Sequence, residues 1–325
     1  MAHLASVVLF VLVGLLPLPA SAAPGSVVEI WVARAHAHRD LDEASRERFQ
    51  RLDLDALAND TVERPDVQYD GTYWYRGVSL GALLDHYAPE QSIDLALLHF
   101  ANGMVVPWPF RDAAVNARVR PFVARSMALT AEGPFVPGQF EPMAKKLEGA
   151  PDVRPIAFSG NHLVAASRFH PDVPARASAS FSPWSQVDSL VGIELVVRAA
   201  YVRQLEAPGS AEVRAGSLIF QQSCVFCHAV HGVGGGFGWD FVDPDPIYSD
   251  AWVQHFGSAP AYETGYRDPL TSLSVHVRFV VPNSAGRRMP ALSHLSASEV
   301  RALYTWMRAL PHALPDYDPL PESRR

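Results

Sequence analysis

The chain has 325 residues, of which 48% are hydrophobic and 19% are charged, and its formal net charge is −7 at pH 7. This composition excludes a disordered chain, and the acidic balance argues against a nucleic-acid partner. At about 150 residues per domain, the length predicts two domains, each with its own core. The 27 prolines favour a first half rich in loops and β-strands over a helical bundle.

The amino terminus predicts an export signal. An apolar run over residues 4–16 is broken by prolines, and Ala20-Ser21-Ala22 then fits a signal-peptidase site. The run is shorter than the ~20 residues that a membrane-spanning helix needs, so cleavage is favoured over an uncleaved anchor. We therefore expect residues 1–22 to be a signal peptide cleaved near Ala22. The mature protein is expected in the periplasm, with no membrane span after cleavage.

Residues 24–205 are predicted to form a mixed α+β domain. A strand is expected over residues 27–32, and Asp70-Gly71 between β-forming residues predicts a hairpin over 69–76. Ser79 is placed to cap a short helix that ends near Tyr87. A strand pair is expected on either side of Asn102-Gly103, over 96–100 and 104–106. Residues 181–196 lead into a closing strand.

The order of these motifs resembles the molybdopterin-binding domain of the sulfite oxidase family. The resemblance rests on Tyr75-Arg76-Gly77-Val78-Ser79-Leu80, on the strand pair around Asn102-Gly103, and on Pro183-Trp184 before the closing strand. In that family a cysteine thiolate binds molybdenum, whereas residues 24–205 contain no cysteine. The resemblance therefore implies a degenerate domain in which molybdopterin is unlikely, used for binding rather than chemistry.

Other polar groups of this domain give weaker signals. His36 and His38 with Asp40 could bind a metal, but a solvent-exposed strand end is the favoured interpretation. A solvated surface is likewise favoured over a basic docking patch made of Lys145, Lys146, Arg111, Arg118, Arg120 and Arg125. The run Ser159-Gly160-Asn161-His162 resembles the cysteine-containing loop of the sulfite oxidase family, but it falls too late in the order of elements. His162 and His170 have no catalytic partner at recognisable spacing, so no catalytic residue is predicted.

A second domain, residues 210–315, is predicted to begin after Pro208-Gly209. Ser210 can cap a helix over 211–222. Near the other end, Ser296 and Glu299 have the spacing of a capping box, and apolar residues behind them recur at helical spacing. Pro311 then ends this last helix.

The only two cysteines of the chain stand between these helices, in Cys224-Val225-Phe226-Cys227-His228. Cys-x-x-Cys-His is the c-type haem attachment pattern, in which two thiols form thioethers with one haem and the adjacent imidazole binds its iron. A thioredoxin-like pair would not require the histidine, and zinc would need more ligands. A disulfide between the two cysteines stays open as an alternative. We predict one covalent haem c on Cys224 and Cys227, with His228 as an axial ligand and the glycine-rich run 231–238 around the haem edge.

Residues 210–315 resemble a class I cytochrome c domain, which has a helix before the attachment motif and an aromatic helix at its carboxyl end. In that family a Met-Pro pair precedes the last helix, and Met289-Pro290 occupies this place. The resemblance implies Met289 as the second axial iron ligand, which would raise the reduction potential. Met289 could instead be a packed apolar residue, and the competing ligands are His231, His255, His276 and His294.

The sequence thus predicts an α+β domain followed by an all-α class I cytochrome c domain. The favoured function is a periplasmic carrier of single electrons between a donor dehydrogenase and an acceptor cytochrome or oxidase, with the first domain as a docking module. An enzyme is less favoured, because two axial ligands leave no open site on iron. The alternative is a molybdenum-dependent enzyme similar to sulfite dehydrogenase that passes electrons to its own haem. A haem-based sensor whose first domain binds a small ligand is a third possibility.

Overall fold

The computed structural model describes residues 27–33, 46–57, 60–66, 71–135, 139–140, 155–156, 161–167, 169–173, 182–185, 189–238, 240–241, 274, 277, 281–282, 288–289 and 292–310. Several sequence-based predictions fall outside these residues: the signal peptide, the group of His36, His38 and Asp40, the pair Lys145 and Lys146, and the histidines His255 and His276. Within the described part of the chain, no helix is long and apolar enough to cross a membrane.

Strands dominate the amino-terminal part of the fold and helices the carboxyl-terminal part. In chain order the elements are β1 (Val27–Ala33), β2 (Arg46–Asp53), α1 (Leu54–Leu57), β3 (Asp60–Asp66), β4 (Gly71–Ser79), α2 (Leu80–Tyr87), β5 (Leu95–Phe100), β6 (Val105–Trp108), α3 (Ala113–Val119), β7 (Phe122–Ala128), β8 (Gln139–Phe140), β9 (Pro155–Ile156), β10 (His162–Val164), a 3-10 turn (Pro183–Ser185), β11 (Leu190–Val196), α4 (Arg198–Gln204), α5 (Ala211–Ser223), β12 (Ala229–Val230), β13 (Val233–Gly234), β14 (Val281–Pro282), β15 (Arg288–Met289) and α6 (Ala297–Ala309).

Two larger sheets form the framework. The first has five strands in the order β2-β1-β11-β5-β6, and the second has four in the order β10-β7-β4-β3. Within the first sheet β1 and β11 run parallel, with Glu29 opposite Gly192, whereas the other neighbours are antiparallel. Alternation along β1 sends Val28 and Ile30 into the core and leaves Glu29 on the outer face of the sheet. The outer face of this sheet therefore carries the charged residue Glu29, whereas the core face carries apolar residues.

Local sequence signals account for several of these elements. The Ser79 hydroxyl accepts a 3.0 Å hydrogen bond from the Ala82 amide, which confirms the predicted cap of α2. The predicted strand pair around Asn102-Gly103 is confirmed by β5 and β6, and Gly103 has the positive φ of +88° that this turn requires. The hairpin predicted over 69–76 is wrong in its bounds, because residues 71–76 belong to the single strand β4, and Asp70 lies outside the described residues. Gly71 instead opens β4 and pairs with Asp66 at the end of β3.

The two long helices after residue 210 pack against each other at a glycine. Both predicted caps are confirmed: the Ser210 hydroxyl accepts from the Val213 amide, and Ser296 and Glu299 form a complete capping box. Gly216 of α5 faces α6 so closely that a Cβ there would lie 2.7 Å from the carbonyl carbon of Ala302. The absence of a side chain at this position lets the two helix backbones approach.

The carboxyl-terminal part is nevertheless not all-α. Besides α5 and α6 it contains two short antiparallel pairs, β12 with β13 and β14 with β15. The described residues form a mixed α/β fold with several sheets, so the predicted fold class, an α+β domain followed by an all-α class I cytochrome c domain, is wrong. The first pair arises because His231 and Gly232, the two residues between β12 and β13, both adopt positive φ and reverse the chain.

The junction between the two parts of the chain is fixed at one carbonyl group. Leu205, which follows α4, is fully buried. Its carbonyl oxygen accepts a 2.8 Å hydrogen bond from the Ser217 hydroxyl of α5 and a 3.2 Å hydrogen bond from the indole of Trp306 on α6. Both helices are thereby tied to the same point at the end of α4, and one apolar core continues from Val28 to Leu310.

Candidate functional site

The motif Cys224-Val225-Phe226-Cys227-His228 follows α5 directly and forms one tight turn. The amides of Cys227 and His228 both donate to the carbonyl of Cys224, at 3.0 and 2.8 Å, and the amide of Cys224 donates to Phe220 in the last turn of the helix. This turn brings together three of the four residues predicted as the site. Cys224 is buried, whereas Cys227 and His228 are partly buried.

The imidazole of His228 is held by packing on two sides. Its ring stacks on Phe241 with 4.8 Å between the ring centroids and an angle of 24° between the planes. Gly238 lies against the same ring, since a Cβ there would come within 2.6 Å of Nδ1. The amide of Gly238 also donates a 2.6 Å hydrogen bond to the carbonyl of Cys227. The glycine-rich run after the motif thus fixes the position of the imidazole.

Replacing Gly238 by alanine is expected to destabilise the protein by about 1–3 kcal/mol, because the added methyl group overlaps the His228 ring. Urea unfolding would measure this change. Gly236 offers a matched control in the same run, since a Cβ there meets only the Gly103 oxygen at 3.9 Å and should be accommodated. Equal losses in Gly238→Ala and Gly236→Ala would contradict this packing of His228.

The environment of both thiols of the motif disfavours the thiolate form. Desolvation raises the pKa of Cys224 to about 12, with a smaller contribution from Cys227, and it raises the pKa of Cys227 to about 12 as well. Catalytic Cys-x-x-Cys pairs have the opposite property, because a lowered pKa supplies the nucleophilic thiolate. The environment therefore lacks the lowered thiol pKa that activates a thioredoxin-like redox pair.

The motif is anchored to the amino-terminal part of the chain at the turn between β5 and β6. The Val105 amide donates a 3.0 Å hydrogen bond to the carbonyl of Phe226, the second residue between the two cysteines. On the other side of the turn, the Gly236 amide donates a 2.7 Å hydrogen bond to the carbonyl of Gly103. The Phe226 ring is fully buried and packs edge-on against His170, with 4.9 Å between the ring centroids.

His170, for which the sequence offered no partner, is a buried structural histidine. Its Nε2 donates to the carbonyl of Pro107 at 2.9 Å, and its Nδ1 accepts from the Asp172 amide at 3.2 Å. Together these bonds specify a neutral ring. Burial, the largest influence, lowers the pKa of His170 below its usual value. The sequence does not reveal this burial, because Pro107 and Phe226 lie far from His170 along the chain and only the Asp172 amide is local.

This lowered pKa predicts that the protein becomes less stable in mild acid. Below pH 6.5 the unfolded chain binds a proton at His170 that the folded chain does not, so stability falls as pH falls, by up to about 1.4 kcal/mol per pH unit. Above pH 6.5 the contribution is fully present. Urea unfolding at pH 7.5 and 5.5 should show a smaller pH dependence for His170→Gln than for the wild type. The same pH dependence in both proteins would contradict the assignment.

For Met289, the predicted second iron ligand, the structure describes only the backbone. Met289 lies in β15 opposite Val281, and its side chain is outside the described atoms. Among the competing histidines, His231 sits in the tight turn between β12 and β13, where its amide donates to Asp240 at 3.1 Å. His294 lies just before α6. Met289 therefore stays a prediction.

Three of the arginines considered and set aside as a docking patch make structural interactions. The Arg111 guanidinium bonds the carbonyls of Pro89, Glu90 and Ile93, and Arg118 stacks over Phe169 at 3.6 Å. Arg125 bonds both Asp55 and the side-chain oxygen of Asn161. Asn161 is itself buried and donates from Nδ2 to the carbonyl of Leu190 at 2.9 Å. These contacts favour a structural role for the arginines and for the loop before β10 over a docking patch.

A separate polar group lies on the outer face of the five-stranded sheet, where the sequence gave no signal. His99 of β5 and Glu194 of β11 are joined by a 2.8 Å contact between Nε2 and Oε2. Beside them is a pocket of about 720 Å³ lined by Val27, Glu29, Trp31, Arg46, Arg51, His99, Phe100, Val191 and Gly192. Among the residues that the structure describes, no three His, Cys, Asp or Glu side chains are grouped so that they could hold a metal ion.

No protein-family model, curated protein or solved structure matches the chain.

Proposed function

We propose that the chain is an exported redox protein that carries one haem c on Cys224 and Cys227 and transfers single electrons. The observation that carries the proposal is the motif turn itself, in which a buried thiol, a partly buried thiol and an imidazole fixed by packing come from one five-residue segment. This donor set is the one that covalent haem attachment requires. A haem held there would supply a one-electron ferric/ferrous couple.

Each residue of the turn has a distinct role in this proposal. The sulfur atoms of Cys224 and Cys227 would tether the group, and a ring nitrogen of His228 would bind its iron. Phe241 and Gly238 fix the plane of the imidazole, the role that the neighbours of a metal-binding histidine have. Met289 is the proposed second axial ligand, with His231 and His294 as competitors.

The proposed partners are a donor dehydrogenase and an acceptor cytochrome or oxidase in the periplasm. The amino-terminal part, which we propose to be a degenerate relative of the sulfite oxidase molybdopterin domain, would serve as the docking module. Its contacts with this region support this role, because the Val105 amide bonds the carbonyl of Phe226 within the motif and the Gly103 carbonyl accepts from Gly236 in the glycine-rich run that follows. A partner bound to that part would be held close to the attachment turn.

The test is to produce the full chain with its amino-terminal segment in a bacterium able to attach haem c and to make molybdopterin. We expect one iron per chain, haem that survives denaturation, and a reduced absorption spectrum of the c type. The double variant Cys224→Ala/Cys227→Ala should keep no covalent haem. Folded wild-type protein without covalent haem would refute the proposal, and one molybdenum per chain would favour the sulfite-dehydrogenase-like alternative.

The second ligand is tested separately with Met289→Ala. Loss of a thioether ligand should lower the reduction potential and change the visible spectrum of the ferric protein. Met104, which is buried in the turn between β5 and β6, supplies a control. Met104→Leu should leave both properties close to those of the wild type. An unchanged potential and spectrum in Met289→Ala would remove Met289 from the site.

A further inference from the structure

The tight turn between β12 and β13 presents two backbone amides to one carboxylate. His231 and Gly232, the two central residues of the turn, have φ of +52° and +77°. Successive amides in such a turn form a concavity that suits an anion. The side chain of Asp240 fills it, because Oδ1 accepts from the His231 amide at 3.1 Å and Oδ2 accepts from the Gly232 amide at 2.6 Å. Both oxygens of this carboxylate are therefore bonded to the turn, by hydrogen bonds of the stronger, charge-assisted kind.

The residue after Asp240 is attached to the same hairpin and stacks on the proposed iron ligand. Ala229 and Asp240 form an isolated parallel bridge, and the Phe241 amide donates a 2.8 Å hydrogen bond to the Ala229 carbonyl. The Phe241 ring contacts two other rings, with centroids 4.8 Å from His228 and 5.3 Å from Phe220 of α5. Only the His228 ring is stacked, at 24° between the planes. The position of the Phe241 backbone therefore decides whether the imidazole keeps its stacking partner.

The bonds of Asp240 close a loop that has little else to define its shape. The run 231–238 is rich in glycine, which has more conformational freedom than any other residue. Closing such a loop costs entropy, so its geometry depends on the bonds that hold its two ends together. Asp240 supplies two of these bonds, from the end of the run back to its first two residues.

We propose that Asp240 is a positioning residue for His228 and acts through Phe241: its carboxylate closes the loop on the turn, and the closed loop holds the Phe241 ring against the imidazole. The inference rests on the proposed haem function, in which this imidazole binds the iron. Residues around a metal-binding histidine set the orientation of its ring and tune the metal. Asp240 exerts this influence without contacting the imidazole, because Phe241 stands between them in the chain of contacts.

The first test needs no haem. In the full chain carrying Cys224→Ala/Cys227→Ala, the stacked Phe241 ring should shift the carbon-bound protons of the His228 imidazole upfield in the NMR spectrum. Adding Asp240→Ala should move these resonances most of the way to their random-coil positions. Asp94 supplies the matched control, because its carboxylate also accepts from a backbone amide, that of Arg198 at 2.7 Å at the start of α4. Asp94→Ala should leave the His228 resonances in place. Unchanged resonances in Asp240→Ala, or equal changes in both variants, would overturn the proposal.

The second test uses the haem-loaded protein, in which the electron paramagnetic resonance of low-spin ferric iron reports the orientation of an axial imidazole. Asp240→Ala should shift or broaden this signal, and Asp94→Ala should not. A wild-type signal in Asp240→Ala would show that the carboxylate does not position the ligand. Wild-type protein without any haem signal would instead refute the haem proposal, and the NMR comparison would still decide whether Asp240 holds the ring.

A double variant tests the route through Phe241. Phe241→Leu removes the stacked ring but leaves the carboxylate bonds, so Asp240→Ala/Phe241→Leu should give the same ferric signal as Phe241→Leu alone. A further change in the double variant would mean that Asp240 acts by another route and would overturn the assignment. If Asp240→Ala does not fold, Asp240→Asn keeps one acceptor oxygen and should change both spectra in the same direction by a smaller amount. Wild-type spectra in Asp240→Asn would then count against the proposal.

Discussion

Phe226→Ala is expected to lower the free energy of unfolding by about 3–5 kcal/mol, the cost of removing a large aromatic side chain from a core. The Phe226 ring is fully buried between the attachment turn and the amino-terminal part of the fold. Its edge-to-face contact with His170 adds about 0.5–1.5 kcal/mol beyond area burial. Urea unfolding followed by tryptophan fluorescence would measure the loss.

The matched control is Phe226→Leu, which retains most of the side-chain volume and should lose less than half as much stability. The backbone carbonyl of Phe226 also accepts a hydrogen bond from the Val105 amide. The amino-terminal and carboxyl-terminal parts of the chain should therefore unfold together in the wild type. A loss below 1 kcal/mol in the alanine variant, or two separate unfolding transitions in the wild type, would show that this contact does not join the two parts.

Gly216→Ala is expected to cost about 3 kcal/mol, at the upper end of the range for overpacking. The new methyl group would lie 2.5 Å from Cβ of Trp306 and 2.7 Å from the carbonyl carbon of Ala302. These atoms belong to the α6 backbone or are attached to it directly, so no change of rotamer relieves the overlap. Separating α5 and α6 would also stretch the bonds that Ser217 and Trp306 make to Leu205.

Gly81→Ala is the control for the intrinsic effect of the substitution. Gly81 lies in the exposed first turn of α2, and the nearest atom to a Cβ there is the Ser79 oxygen at 3.9 Å. Alanine should therefore stabilise the protein by about 0.5–1 kcal/mol through helix propensity. Thermal unfolding of both variants gives the comparison, and a stabilising Gly216→Ala would contradict the close approach of the helices.

The features that were predictable from sequence are those fixed by neighbours in the chain. Ser79, Ser210 and Ser296 cap helices. In each case the serine hydroxyl accepts a hydrogen bond from a backbone amide only three residues further along the chain. The turn at Asn102-Gly103 was equally visible, because Gly103 needs a positive φ. The Cys-x-x-Cys-His motif is likewise local, and the sequence alone placed its three side chains in one segment.

What the sequence did not reveal depends on distant residues. The parallel pairing of β1 with β11 joins strands from the two ends of the amino-terminal part, and nothing near either strand specifies the partner. The burial of His170 against Phe226 and the contact of His99 with Glu194 are of the same kind. The error in fold class also has a local cause. Resemblance to a helical family gave no weight to the reversal at His231 and Gly232, which pairs β12 with β13.

The shared carbonyl of Leu205 determines how a partner could meet the proposed haem. A carrier domain on a free tether searches for its partners and is concentrated near them by its linker. Here the side chains of Ser217 and Trp306 hold α5 and α6 to the end of α4. The attachment turn is therefore fixed relative to the sheets and is not carried by a flexible linker. Donor and acceptor would therefore have to diffuse to a surface of constant shape, and the rate of electron exchange would depend on their encounter and not on the length of a linker.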